Sequence, residues 1–321
     1  MLAVLLALAA AAGYGGSDYA AGLAARRASV VRVTVLVEVT SAALLLCVIP
    51  FISDQAPSLT SALWGIAAGA SGVAGAMALY LGFRYAAFSV ASSISAVGSA
   101  AFSVLAGVAL GEHPGAPSFA GIALALPAIV AVSAPARQQP PGEAPRGQSS
   151  PHGQGPVTKE PGLEPSGGSR GVAPPGQQRR HRHAVGVGLG LAAGAGFGMF
   201  FIGLNEAGSV NDLWPIVISQ LAAMVTVTCV AAATRDLRLP PPGARRLSVV
   251  TGAIGAAGTT MFFLSTHHGL LAVTAVITAL YPAVTIVLAR VVSGERLTGL
   301  RIIGLSLAAA SVALIAAGGA G

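Results

Sequence analysis

The sequence predicts an all-α integral membrane protein with ten transmembrane helices, arranged as two inverted five-helix repeats. Three observations predict it. Hydrophobic residues make up 54% of the 321 and charged residues only 9%, and the mean hydropathy is +0.75; a soluble domain carries about 25% charged residues. Apolar runs of ~20 residues, long enough to span the hydrocarbon core as helices, alternate with short polar breaks. The two halves of the chain also match each other under a shift of 183 residues.

The runs fall at 2–22, 29–51, 59–82, 86–110, 117–135, 184–204, 213–233, 247–266, 270–292 and 299–318. No Lys or Arg precedes Arg26, so the first run lacks the basic leading segment of a secretory signal. Residues 137–183 separate the fifth and sixth runs. Pro, Gly, Gln and Ser dominate there, with no apolar repeat at a helical period. Such a stretch cannot bury enough surface to offset its chain entropy, and it reads as a disordered linker. The expected domains are a first repeat over 1–136, the linker over 137–183 and a second repeat over 184–321.

The 183-residue shift lays SVASSISAVGSAAFSVLAGVALGE (89–112) on AVTAVITALYPAVTIVLARVVSGE (272–295). Alanine matches carry little weight in so Ala-rich a chain. The coincidence of Gly111-Glu112 with Gly294-Glu295 carries more, and Gly121 falls on Gly304. GYG (13–15) lies on GFG (196–198), and with one residue of slippage Glu38 falls on Gln220 and Cys47 on Cys229. Because the first run has a counterpart inside the chain, it reads as a structural helix. Five spans per copy is odd, so the second copy enters the membrane upside down. Inverted repeats place a binding site near the midplane between copies, and rocking of one copy against the other alternates access to it.

Charge orients the helices. The formal net charge is +7, but the basic residues sit in connections without aromatic interleaving, which argues against nucleic acid as a partner. Arg26, Arg27 and Arg32 flank the first connection and Arg84 lies on the third. Seven more fall in the linker, Arg235, Arg238, Arg245 and Arg246 on the seventh, and Arg290, Arg296 and Arg301 on the ninth. The even connections carry none. By the positive-inside rule the odd connections and the linker face the cytoplasm, and both termini lie outside. Cys47 and Cys229 lie in apolar runs, where a thiol behaves as a small hydrophobe. With no C-x-x-C, and with His267-His268 adjacent but lacking a third ligand, no metal site is expected.

In TALYPAVTIVLARVVSGERLTGLRIIGLSLAAASVALIAAG (278–319) an apolar helix with Pro282 at its middle leads to the turn Gly294-Glu295-Arg296 and then to a last helix containing Gly304. This pattern resembles the closing two helices of an EamA domain, of the drug/metabolite transporter superfamily. The first half repeats it as Gly111-Glu112 and Gly121, with Ser99 in place of the proline. The resemblance implies a multi-pass protein of the cell (plasma or inner) membrane. It also implies secondary transport of small metabolites, amino-acid-like or drug-like, outward and without ATP or another cofactor. Proton coupling is compatible with it. Family members usually have cytoplasmic termini, the opposite of what the charges here indicate.

Asp18 and Glu38 are the acids most clearly inside spans. A carboxylate at mid-membrane costs about 2.5–3.5 kcal/mol, so it faces a cavity or a partner. Asp18 precedes Arg26 by ~12 Å of helix and Glu38 follows Arg32 by ~9 Å, which leaves an interfacial role open for both. A cavity role would make them sites for a proton or a cationic substrate group. Glu112 and Glu295 follow glycines at helix ends, where a turn or a cap on the next helix's N-terminus is expected. Tyr14, Tyr80, Trp64, Tyr281 and Phe197 are candidate cavity walls. Tyr281 is favoured because Pro282 frees a carbonyl one turn earlier. No HExxH, GxSxG, paired intramembrane aspartates or Cys/His cluster is present, so no enzyme activity is expected. A membrane-embedded enzyme, a channel and a non-transporting scaffold are the alternatives to a transporter.

Overall fold

The structure is a computed structural model that describes residues 1–49, 56–82, 88–133, 175–209, 212–294 and 298–318, with the side chains of 80, 88–93, 175–183 and 293 outside the description. These residues form eleven helices: α1 (Leu2–Ala25), α2 (Val30–Val48), α3 (Leu59–Gly82), α4 (Phe88–Ala109), α5 (Ala116–Val132), α6 (Pro175–Glu206), α7 (Trp214–Ala233), α8 (Pro242–Thr266), α9 (Leu271–Thr278), α10 (Tyr281–Ser293) and α11 (Gly299–Gly318). Among the described residues there is no strand. Eight spans are long and apolar enough to cross a membrane, counting α9 and α10 together as Leu271–Val292. Ile94–Ala109 of α4 and Ala116–Val132 of α5 are shorter apolar helices. Helix is the expected form, because it satisfies every backbone polar group within one segment where no water is available.

Two elements differ from the sequence expectation. The sixth helix begins at Pro175, inside the stretch expected to be linker. Proline suits the first helical position because its φ is preset and its missing N–H has no partner there anyway. From Gln177 onward no Gly or Pro interrupts QQRRHRHAV. The remainder of the expected linker, 137–174, lies outside the described residues. The ninth run is also not one helix: α9 stops at Thr278 and α10 starts at Tyr281. Pro282 has no N–H to offer the carbonyl four residues back, and its ring crowds that carbonyl. The matching α4, with Ser99 at that position, is unbroken.

Helices pack as α1 on α8, α3 on α6, α5 on α11, α2 on α7 and α8, α3 on α7, α4 on α6 and α9, and α1 on α9 and α10. α9 lies at the centre, with every one of its residues buried. Around it Ile122, Ile129, Val276, Ile277 and Ile315 share one cluster, and Leu204, Phe262, Phe263 and Leu271 another. Leu5, Leu63, Leu105, Val225 and Val291 point outward, forming the apolar perimeter that a bilayer requires.

The helix ends sort onto two faces. On one, the end of α1 and the starts of α2 and α8 meet through Ala24, Val33 and Ala244, and Arg32 of α2 pairs with Asp236 after α7 at 2.5 Å. Basic residues gather on this face. On the other, Ser61 of α3 donates to Asp212 before α7 at 2.6 Å, and Glu112 after α4 meets the start of α9.

Candidate functional site

On α1, Tyr14 and Asp18 lie one turn apart and so share a face. The Tyr14 hydroxyl is 3.1 Å from Oγ1 of Thr259 on α8, and its ring centroid is 6.5 Å from that of Phe201 on α6. Phe201 in turn stacks on Phe262 of α8 at 4.4 Å and on Phe200 at 5.6 Å. The Tyr14 face of α1 therefore looks toward α6 and α8. Asp18 keeps an accessible side chain on that same face, beyond the aromatic group.

Glu38 sits near the middle of α2, half-buried. Nε2 of Gln220, on α7, lies 3.5 Å from its Oε2, and Gln220 is 8% exposed. That distance is at the long limit for a hydrogen bond, so the carboxylate is approached without being locked. Counted along their helices from the basic face, Asp18 and Glu38 lie at about 10 and 12 Å, a similar depth. α2, which carries Glu38, packs on α8, the helix that Tyr14 meets through Thr259. Asp18, Glu38 and Tyr14 thus form one neighbourhood, built from α1 and α2 and closed by α6, α7 and α8.

Tyr281 and Pro282 open α10, which packs on α1. The Thr285 hydroxyl lies 3.1 Å from the Gly15 carbonyl and 3.2 Å from the Tyr281 carbonyl, and its single proton serves both. The break between α9 and α10 is therefore stitched to α1 on the side of Gly15, not on the side of Tyr14. Phe197 packs with Leu79 and Ala193 in a small core cluster. The side chain of Tyr80, and Glu295 and Arg296 entirely, lie outside the described residues.

Gly111 (φ 92°) and Gly294 (φ 68°) both adopt the left-handed conformation, closing α4 and α10 at matching positions. Nδ1 of His267 lies 2.8 Å from the Phe263 carbonyl and its ring stacks on Phe263 at 4.2 Å. Among the described residues no group of three His, Cys, Asp or Glu could hold a metal ion. Thr259 was not singled out from the sequence. Its only signal is a polar pair, Thr259-Thr260, in the middle of an apolar span, and nothing in the sequence says which hydroxyl it meets.

Residues 184–317 match the model of the EamA-like transporter family. A solved crystal structure covers 98% of this chain and 98% of its own, with a TM-score of 0.71 at 14% identity, and so shares the fold. No curated protein matches the sequence. Residues 184–317, the second half of the chain, thus carry an EamA-like transporter domain, the domain of the drug/metabolite transporter superfamily.

Proposed function

We propose that this protein is a secondary active transporter that moves small metabolites, amino-acid-like or drug-like, out of the cell by alternating access between inverted halves at 1–136 and 184–321. The observation that carries the reading is a set of paired contacts. A Cβ added at Gly13 would lie 2.7 Å from Cα of Gly258, and one at Gly196 would lie 2.7 Å from Cα of Gly75. The 183-residue shift carries Gly13 to Gly196 and Gly75 to Gly258, so the two contacts are one contact occurring twice. Gly121 against Ile315 and Gly304 against Val132 form a second such pair under the same shift. The helix pairings follow the same rule: α1 on α8 answers α3 on α6, while α2 on α7 and α5 on α11 are their own counterparts. A two-fold exchange of halves supports inverted repeats, because five spans per half put its axis in the membrane plane.

The site within this frame is Asp18, Glu38 and Tyr14, with Gln220 and Thr259 as polar partners. Carboxylates inside spans mark ion and substrate paths. Glu38 lies where the halves meet, which suits a coupling proton; Asp18, more open, suits a cationic group of the cargo. The basic face is the cytoplasmic face in this reading. The test is flux into proteoliposomes holding the full chain, with an imposed pH gradient and a panel of amino acids, cationic drugs and nucleotide sugars. Saturable flux that follows the gradient is expected. Flux that rises linearly with concentration would mark a channel and overturn the reading.

A further inference from the structure

α9 starts without a cap of its own. Its N-cap residue is Leu270, which makes no side-chain capping bond, and the helix behind it is wholly buried. Its first N–H groups are instead met by Glu112 from the other half of the chain. Leu271 N–H donates to Oε1 at 2.5 Å and Ala272 N–H to Oε2 at 2.9 Å. A carboxylate that accepts from a helix N-terminus with both oxygens is held by charge-assisted bonds and by the helix dipole.

The backbone before Glu112 fixes its position. Gly111 N–H donates to Val108 O at 3.0 Å and Glu112 N–H to Gly107 O at 2.9 Å, the two bonds of a Schellman turn, with Gly111 left-handed. The side chain then folds back over α4. A Cβ at Gly107 would lie 2.3 Å from Oε2 of Glu112 and 3.2 Å from the Ala272 nitrogen, so the bare Gly107 surface is the bed on which the carboxylate lies between α4 and α9. Just below, Ser103 is fully buried and its hydroxyl has no partner among the described residues.

We propose that Glu112 is a latch between the halves, holding α4 against α9 and closing the bundle on the face opposite the basic residues, and that it releases α9 when that face opens. The proposal rests on the alternating-access reading above. It goes further by naming the contact that must break, and it explains why the α9 cap comes from the opposite half.

The test uses the full chain in membranes, with Cys47→Ser and Cys229→Ser, and Ser103→Cys as reporter. A membrane-impermeant maleimide is applied to the face without basic residues. Glu112→Ala should raise the labelling rate about tenfold, the ratio expected when bonds to two buried donors are lost from the closed state. Glu112→Gln, which keeps one acceptor oxygen, should give a smaller rise, and it serves as the reading if the alanine variant fails to fold. A lower melting temperature with no increase in labelling, in whichever variant folds, would show an ordinary helix cap and overturn the latch. Failure of the transport reading would look different: no saturable flux in the unaltered chain, whatever the labelling shows.

Discussion

Nε2 of Gln220 lies 3.5 Å from Oε2 of Glu38, so two positions that match under the internal repeat, with one residue of slippage, touch each other. Residues related by a two-fold can meet only at its axis. In the proposed inverted-repeat arrangement the contact between Glu38 and Gln220 lies beside that axis, where movement of one half against the other would be felt on both sides at once. A protonatable group there, faced by an amide that can donate or accept, is well placed to link proton binding to that movement.

Glu38→Gln should make flux independent of pH across the neutral range while leaving expression and melting temperature near those of the unaltered chain. Asp18→Asn should instead raise the substrate concentration for half-maximal flux and keep the pH profile. Initial rates against pH and concentration in proteoliposomes check both. An unchanged pH profile in Glu38→Gln removes that residue from coupling.

Close helix packing gives a second prediction. A Cβ at Gly69 would sit 2.0 Å from the Ser219 carbonyl oxygen, whereas nothing lies within 4 Å of one at Gly22. Gly69→Ala must push α3 from α7, and should cost about 1–3 kcal/mol, as overpacking does. Gly22→Ala meets no clash and should be neutral or stabilising by about 0.5–1 kcal/mol, since alanine loses less backbone freedom. Thermal unfolding in detergent ranks the two. Equal effects would contradict the packing described here.

Eight of the ten expected spans are long and apolar enough to cross a membrane and were legible because apolar length alone defines a crossing, and the shift that aligns Gly13 with Gly196 could be read without coordinates. The break after Thr278 was only half legible. Pro282 announces a freed carbonyl, but whether a helix kinks or stops depends on neighbours such as Thr285 and Gly15. The start of α6 at Pro175 was obscured by composition, because Pro, Gly and Gln look alike in a linker and in a helix start. A capping role for Glu112 was legible from its place after Gly111, but the contacts themselves, Tyr14 with Thr259 and Glu112 with Leu271, were not. They join residues 245 and 159 positions apart, and one sequence holds no record of which hydroxyl or N–H a side chain will meet.

The different chemistry at Ser99 and Pro282 can be exchanged. Ser99→Pro would remove an N–H from the unbroken α4 and set a ring against the carbonyl one turn back. It should cost about 3 kcal/mol, the usual penalty of proline in a helix interior. Pro282→Ala restores an N–H at the existing break and should not destabilise. It should slow flux, because joining α9 to α10 shifts α10 against α1 and strains the contact of Thr285 with the Gly15 carbonyl. Melting temperatures and initial rates of both variants test this. A destabilised Pro282→Ala with unaltered flux would make the break a packing detail.

The cluster on the basic face titrates. Asp236 accepts from the Ser29 hydroxyl and, at 2.6 Å, from Nε of Arg32. The Ser29 bond first, and then Arg32, hold its carboxyl below the usual carboxylate range. A group whose pKa is lowered on folding stabilises the fold above its unfolded value, about 3.9. That contribution fades as pH falls through the lower folded value. Asp236→Asn should therefore lower the melting temperature at pH 7, and the gap to the unaltered chain should shrink below about pH 4 as both side chains become neutral. The gap should also shrink in high salt, because the cluster faces water and its charges are screened. Melting curves from pH 3 to 7 at two salt concentrations read it directly. A gap that persists unchanged at pH 3 would mean that Asp236 acts through its shape in the turn after α7, and not through its charge.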